Sequence, residues 1–166
     1  MTNRHDIHVL NGLLGATLDS AERLDQIAAD SSTGASSGLS TGHAALFAAL
    51  AAERRQMAQT LSDSVTALGG QPDAGGSILA KAQRAVLDVR HALMPGEAGL
   101  VDAADRGEAA LDRRFEAALA DERISATTRE TLRRAHNLIH RETADVHDLR
   151  RSVDGQRDAS SGLYPS

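Results

Sequence analysis

Residues 131–153, TLRRAHNLIHRETADVHDLRRSV, place Leu132, Ala135, Ile139, Glu142, Val146, Leu149 and Val153 at steps of three and four. That spacing stacks side chains on one face of an α-helix. The face is apolar except for one glutamate. The same pattern occurs twice more, as Val101, Ala104, Glu108, Leu111, Phe115 and as Leu46, Leu50, Glu53, Met57, Leu61. Three predicted helices therefore each carry a carboxylate in register with the core. A carboxylate is costly to bury unless something pairs with it or it takes up a proton.

Working outward from these stripes, the whole chain reads as all-α. Its 166 residues suit one domain. Thirty are alanine, and aromatic and β-branched residues are scarce, which favours helix over strand. Four long helices are predicted: A over 5–30, B over 41–69, C over 97–121 and D over 128–153. At 1.5 Å per residue each is roughly 40 Å long, the matched length that a bundle requires. Helix A carries Ile7, Leu10, Leu14, Thr17, Ala21, Leu24 and Ala28. Gly69-Gly70 with Pro72 beyond is a stop for B, and Thr127 with Glu130 forms a capping box for D. The B–C connection is too long for a tight helical hairpin. It contains a helical pattern over 77–94 (Ile78, Leu79, Ala82, Ala85, Val86, Val89, Leu93). Such a crossover returns along the bundle and leaves B parallel to C, the ferritin-like arrangement of two antiparallel hairpins. An up-down-up-down bundle is the alternative. Residues 155–166 are polar without periodicity and are expected to be a disordered tail.

Composition removes several functions. The absence of cysteine excludes disulfides, thiolate metal sites and thiol catalysis. A net charge of −5 argues against a nucleic-acid partner, although arginine outnumbers lysine 17 to one and four Arg-Arg pairs occur. No apolar run suits a signal peptide or a membrane span, so a cytoplasmic setting is expected. No phosphate-binding loop, dinucleotide fingerprint or nucleophile elbow is present.

What remains is the carboxylates. A di-metal centre in a bundle takes a Glu from each of two helices and a Glu-x-x-His from each of the other two. Here the set is Glu22, Glu53, Glu108, Glu142 and Asp145, with Gln56 and Asp145 where the histidines belong. Iron or manganese is the metal such a set would hold. The competing reading, and the favoured one, pairs the glutamates with arginine, at the cost of burying charge but with a gain in helix register. His136 and His140, four apart on helix D, can chelate a transition metal and His147 extends their face, but no His-Glu-x-x-His motif is present.

Three stretches carry a family resemblance. They are Leu68-Gly-Gly-Gln-Pro-Asp-Ala-Gly-Gly-Ser77, the Arg106-Gly-Glu108 segment followed by Phe115, and His147-Asp-Leu-Arg150. Over about residues 5–153 the chain resembles a bacterial family of uncharacterised ferritin-like four-helix-bundle proteins. The resemblance implies a ferritin-like bundle with a helical crossover and no settled activity; the family is grouped with stress-related proteins by fold alone. Family members tend to carry a Trp around Val86–Val89 and an aromatic near Leu24, and this chain is aliphatic at both. The expectation is a non-catalytic bundle that associates with itself or with another protein, using Leu13, Phe47 and the crossover as interface positions. The alternative is a carboxylate-rich metal protein of the di-iron or manganese, ferroxidase-like kind.

Overall fold

The structure, a computed structural model, describes residues 2–33, 41–73 and 97–161. These residues form four helices and no strand: α1 (Thr2–Thr33), α2 (Thr41–Ala67), α3 (Glu97–Ala120) and α4 (Ala126–Ser161). The crossover predicted over 77–94 lies outside the described residues.

Contacts at one end of the bundle fix the directions of all four helices. Near the start of α1, the Asn11 amide donates to the Gln71 carbonyl at 3.0 Å and accepts from the Asp73 N–H at 2.9 Å, just past the end of α2. His5 lies 2.7 Å from the Asp121 carboxylate, immediately after α3. Asp6 accepts from the Ser125 N–H at 3.1 Å and the Thr128 hydroxyl at 2.8 Å, at the start of α4. The starts of α1 and α4 therefore gather with the ends of α2 and α3. Helices α2 and α3 run in the same direction, and each packs against antiparallel neighbours.

The terminations follow from local chemistry. Gly69 adopts φ +80°, where a side chain would be strained. The Gly70 N–H reaches the Val65 carbonyl at 3.0 Å and the Gly69 N–H reaches Thr66 at 2.9 Å, the double hydrogen bond of a Schellman motif. Gly70 also packs on Ile7 so closely that a Cβ would sit 2.8 Å from that side chain. The cap of α4 is Ser125, not the predicted Thr127: its hydroxyl accepts from the Thr128 N–H at 3.2 Å. The partner that a capping box draws from the same helix comes instead from Asp6 of α1. Helix α4 also continues through Gly155 to Ser161, beyond the expected end at 153. One glycine costs only about 1 kcal/mol in a helix, and no proline intervenes before Ser161.

The buried residues fall into two apolar clusters. One contains Leu10, Leu14, Met57, Leu61, Val65, Leu111, Phe115, Leu132 and Ile139. The other contains Leu24, Ile27, Phe47, Leu50, Ala51, Leu100, Val101, Ala104, Val146 and Val153. Leu13 and Phe47, expected at an interface, are buried in these clusters, because the apolar face of each helix is wider than a single stripe.

Removing the Asp6 carboxylate as Asp6→Ala is expected to cost about 2 kcal/mol, because it leaves the Ser125 N–H and the buried Thr128 hydroxyl without their acceptor. Urea denaturation of the two proteins measures it.

Candidate functional site

Between the two clusters each helix turns a polar group inward. Helix α1 contributes Thr17 and Ser20, α2 contributes Arg54, α3 contributes Glu108 and α4 contributes Glu142, all buried. Thr17 is satisfied within its own helix, donating to the Leu13 carbonyl at 2.8 Å. The others form one network. Arg54 Nη2 and Nε both donate to Glu108 Oε2, the latter at 3.2 Å, while Nη1 donates to Glu142 Oε2. The Ser20 hydroxyl donates to Glu108 Oε1 at 2.5 Å. A guanidinium cannot shed its charge at any ordinary pH, so it must be matched where it lies.

Glu108 and Glu142 thus lie where their stripes put them. Glu53 does not: it is exposed, and Arg54 holds the inward position on α2. The true stripe is Phe47, Ala51, Arg54, Ala58, Leu61 and Val65, with steps of four and three. It runs beside the Leu46, Leu50, Glu53, Met57, Leu61 series and overlaps it at Leu61. The small residues Ala51 and Ala58 were the signal, marking where α2 approaches its neighbours. Leu46, the first member of the other series, is 36% exposed. Glu22, Gln56 and Asp145 are also exposed, so the structure does not bring the five acids together in the core.

The electrostatics follow from the charge count, one cation against two buried carboxylates. Burial by itself pulls the Arg54 pKa down, but the charges and hydrogen bonds of Glu108, then Glu142, outweigh it and hold the guanidinium above its ordinary value. Glu142 is pushed up to about 7, first by burial and then by a hydrogen bond with the Glu53 carboxyl, against the pull of Arg54. Its buried Oε1 takes no donor from the protein.

A second set lies on the α3–α4 seam. Asp112 Oδ1 is 2.9 Å from His136 Nε2, and Asp112 Oδ2 is 3.1 Å from His140 Nδ1. One heptad earlier on α3, Asp105 meets His147 at 3.3 Å and Arg150 at 2.9 Å. The sequence pointed to the three histidines; it did not pair them with Asp112, which lies outside any apolar stripe.

The chain's relatives can be placed on this geometry. A family model described as a domain of unknown function, DUF2383, matches residues 6–121. The chain belongs to the DUF2383 family. No curated protein matches it. The DUF2383 match takes in Ser20, Arg54, Glu108 and Asp112, and ends before α4 brings Glu142 and the histidines.

Two outcomes follow from the layer. Glu142 has an ordinary pKa of 4.5 and a folded value of about 7. Between those values the unfolded chain has lost the proton and the folded protein keeps it. Its contribution to stability therefore falls as pH rises through that window, by up to about 3 kcal/mol, and is level above it. Glu142→Gln should flatten that segment of the wild-type stability profile, measured by denaturation from pH 4 to 8. Arg54→Leu should cost about 3–5 kcal/mol, because two carboxylates lose their cation, whereas Arg54→Met combined with Glu108→Leu and Glu142→Leu should recover most of that loss.

Proposed function

We propose that this protein is a non-catalytic bundle of ferritin-like architecture that acts through its outer surface, by association with itself. The observation that carries the reading is the guanidinium at the position where a di-metal carboxylate bundle would hold its ions. Arg54 occupies both Glu108 and Glu142 and is itself fully buried. A divalent ion bonded to those oxygens would have to displace a permanent positive charge. The shared direction of α2 and α3, each packed on an antiparallel neighbour, supports the ferritin-like arrangement.

With the interior filled, the surface is where a partner is met. The first half of α2 is apolar on its outer face as well as its inner one: Ala45, Ala48, Ala49 and Ala52 recur at helical spacing, beside Leu46, and all are exposed. A helix apolar all round is the kind that packs on both sides. No helix among the described residues is long and apolar enough to cross a membrane, so a second protein surface is the occupant that fits.

The mass in solution tests this. The chain should sediment as a multiple of 17.5 kDa, and Ala49→Glu should return it to a monomer. A wild-type protein that stays monomeric at high concentration rejects the reading. The carboxylate alternative, an iron or manganese centre, predicts manganese uptake that Glu142→Gln abolishes; no such uptake is expected while Arg54 is in place.

A further inference from the structure

We propose that Asp112, His136 and His140 form a binding site for a divalent transition-metal ion, zinc being the natural probe, on the α3–α4 seam. It is separate from the buried glutamates and independent of self-association.

The argument begins with the backbone. His136 and His140 are one helical turn apart on α4, so their rings project from the same face, with centroids 5.8 Å apart. Asp112 stands opposite them on the antiparallel neighbour α3 and offers one oxygen to each ring. The three ligand atoms all lie within 4.8 Å of one another. Zinc bonds to imidazole nitrogen and carboxylate oxygen are about 2.0–2.2 Å, which sets neighbouring ligands of a tetrahedral ion about 3.3 Å apart. The 2.9 and 3.1 Å separations run to the two different oxygens of Asp112, so the carboxylate can reach an ion between the rings through either oxygen.

The orientation of the groups separates this set from an ordinary ion pair. Asp112 Oδ1 and His136 Nε2 are buried atoms 2.9 Å apart, yet they do not meet with hydrogen-bond geometry. Two buried polar atoms in van der Waals proximity but aimed past each other are each left with unmet bonding capacity. An ion between them, also reached by His140, satisfies both at once. The donor set suits that role. Neutral imidazole is a ligand for zinc, nickel and copper, and one carboxylate offsets half of the ion's charge. The site is also accessible: His140 is 66% exposed and Asp112 is 13% exposed, so the site opens to solvent on the histidine side and leaves a coordination position for water. The other histidine–aspartate contact on this seam is different in kind, because Arg150 already neutralises Asp105 at 2.9 Å and would repel an ion there.

The test is calorimetric titration of the full chain, without a histidine tag and stripped with chelator, using zinc chloride. One saturable equivalent is expected. His140→Ala and Asp112→Asn should each weaken it more than about tenfold, since losing a ligand costs at least as much as losing a supporting group. His147→Ala, on the same helix, and Glu142→Gln, in the buried layer, should leave it unchanged. Cobalt(II) absorption offers a second readout, with visible bands in the wild type that His140→Ala removes. His140 is an exposed side chain, so its removal leaves the fold intact. The proposal is overturned if no saturable binding occurs, if His140→Ala and Asp112→Asn bind as the wild type does, or if His147→Ala loses as much as they do.

Discussion

A guanidinium buried in the centre of an aliphatic bundle is the constraint to which the other parts answer. Arg54 cannot release its proton, so the helices that surround it must bring it acceptors, and α3 and α4 each deliver one glutamate at the same level. Glu108 in turn needs more than one donor, and Ser20 of α1 completes its shell. All four helices thereby commit to a single height. The apolar clusters on either side cannot enforce that alone. Leu, Ile, Val and Met repack readily when shifted. A slip of one turn moves a helix by about 5.4 Å and would press Glu108 or Glu142 against leucine while stranding Arg54. The polar layer therefore acts as a register key, and the aliphatic layers supply the stabilisation.

Much of this was legible in the sequence, and the failures have physical causes. Glu108 and Glu142 could be located because each interrupts a stripe whose other members are all apolar, leaving one frame. On α2 the frame was ambiguous. Leu46, Phe47, Leu50, Ala51, Met57, Ala58 and Leu61 support two adjacent stripes, one passing through Glu53 and the other through Arg54. Periodicity cannot choose between neighbours that are both charged. The choice is made by partners on other helices, since two carboxylates facing inward call for a cation and not a third acid. The cap of α4 was hidden for a related reason. A capping box can be seen when both halves lie within four residues, whereas Asp6 serves Ser125 from over a hundred residues away. Helix α4 ran past its expected end because absence of an apolar stripe marks the end of packing and not the end of hydrogen bonding.

The resemblance to a carboxylate metal bundle is thus one of outline, with the charge arranged differently. In a di-metal bundle the acids converge and an external cation completes them. Here the completing cation is covalent, part of α2, and present from the moment the chain folds. Burial, followed by the hydrogen bond with Glu53, holds the Glu142 carboxyl above its ordinary value against the pull of Arg54.

The same charge logic distinguishes the acidic positions along α3. Glu108 faces Arg54, a partner that is always charged and never a ligand. Asp112 faces two imidazoles, whose ring nitrogens can act as metal ligands. An ion arriving there meets three donors. Asp105, one heptad away, shows what happens when the two cases are mixed: it has a histidine on one side and Arg150 on the other, and the arginine fills it. The identity of the facing partner, arginine or histidine, thus separates Glu108 and Asp105 from Asp112. The sequence difference that separates the two is one nitrogen heterocycle against one guanidinium.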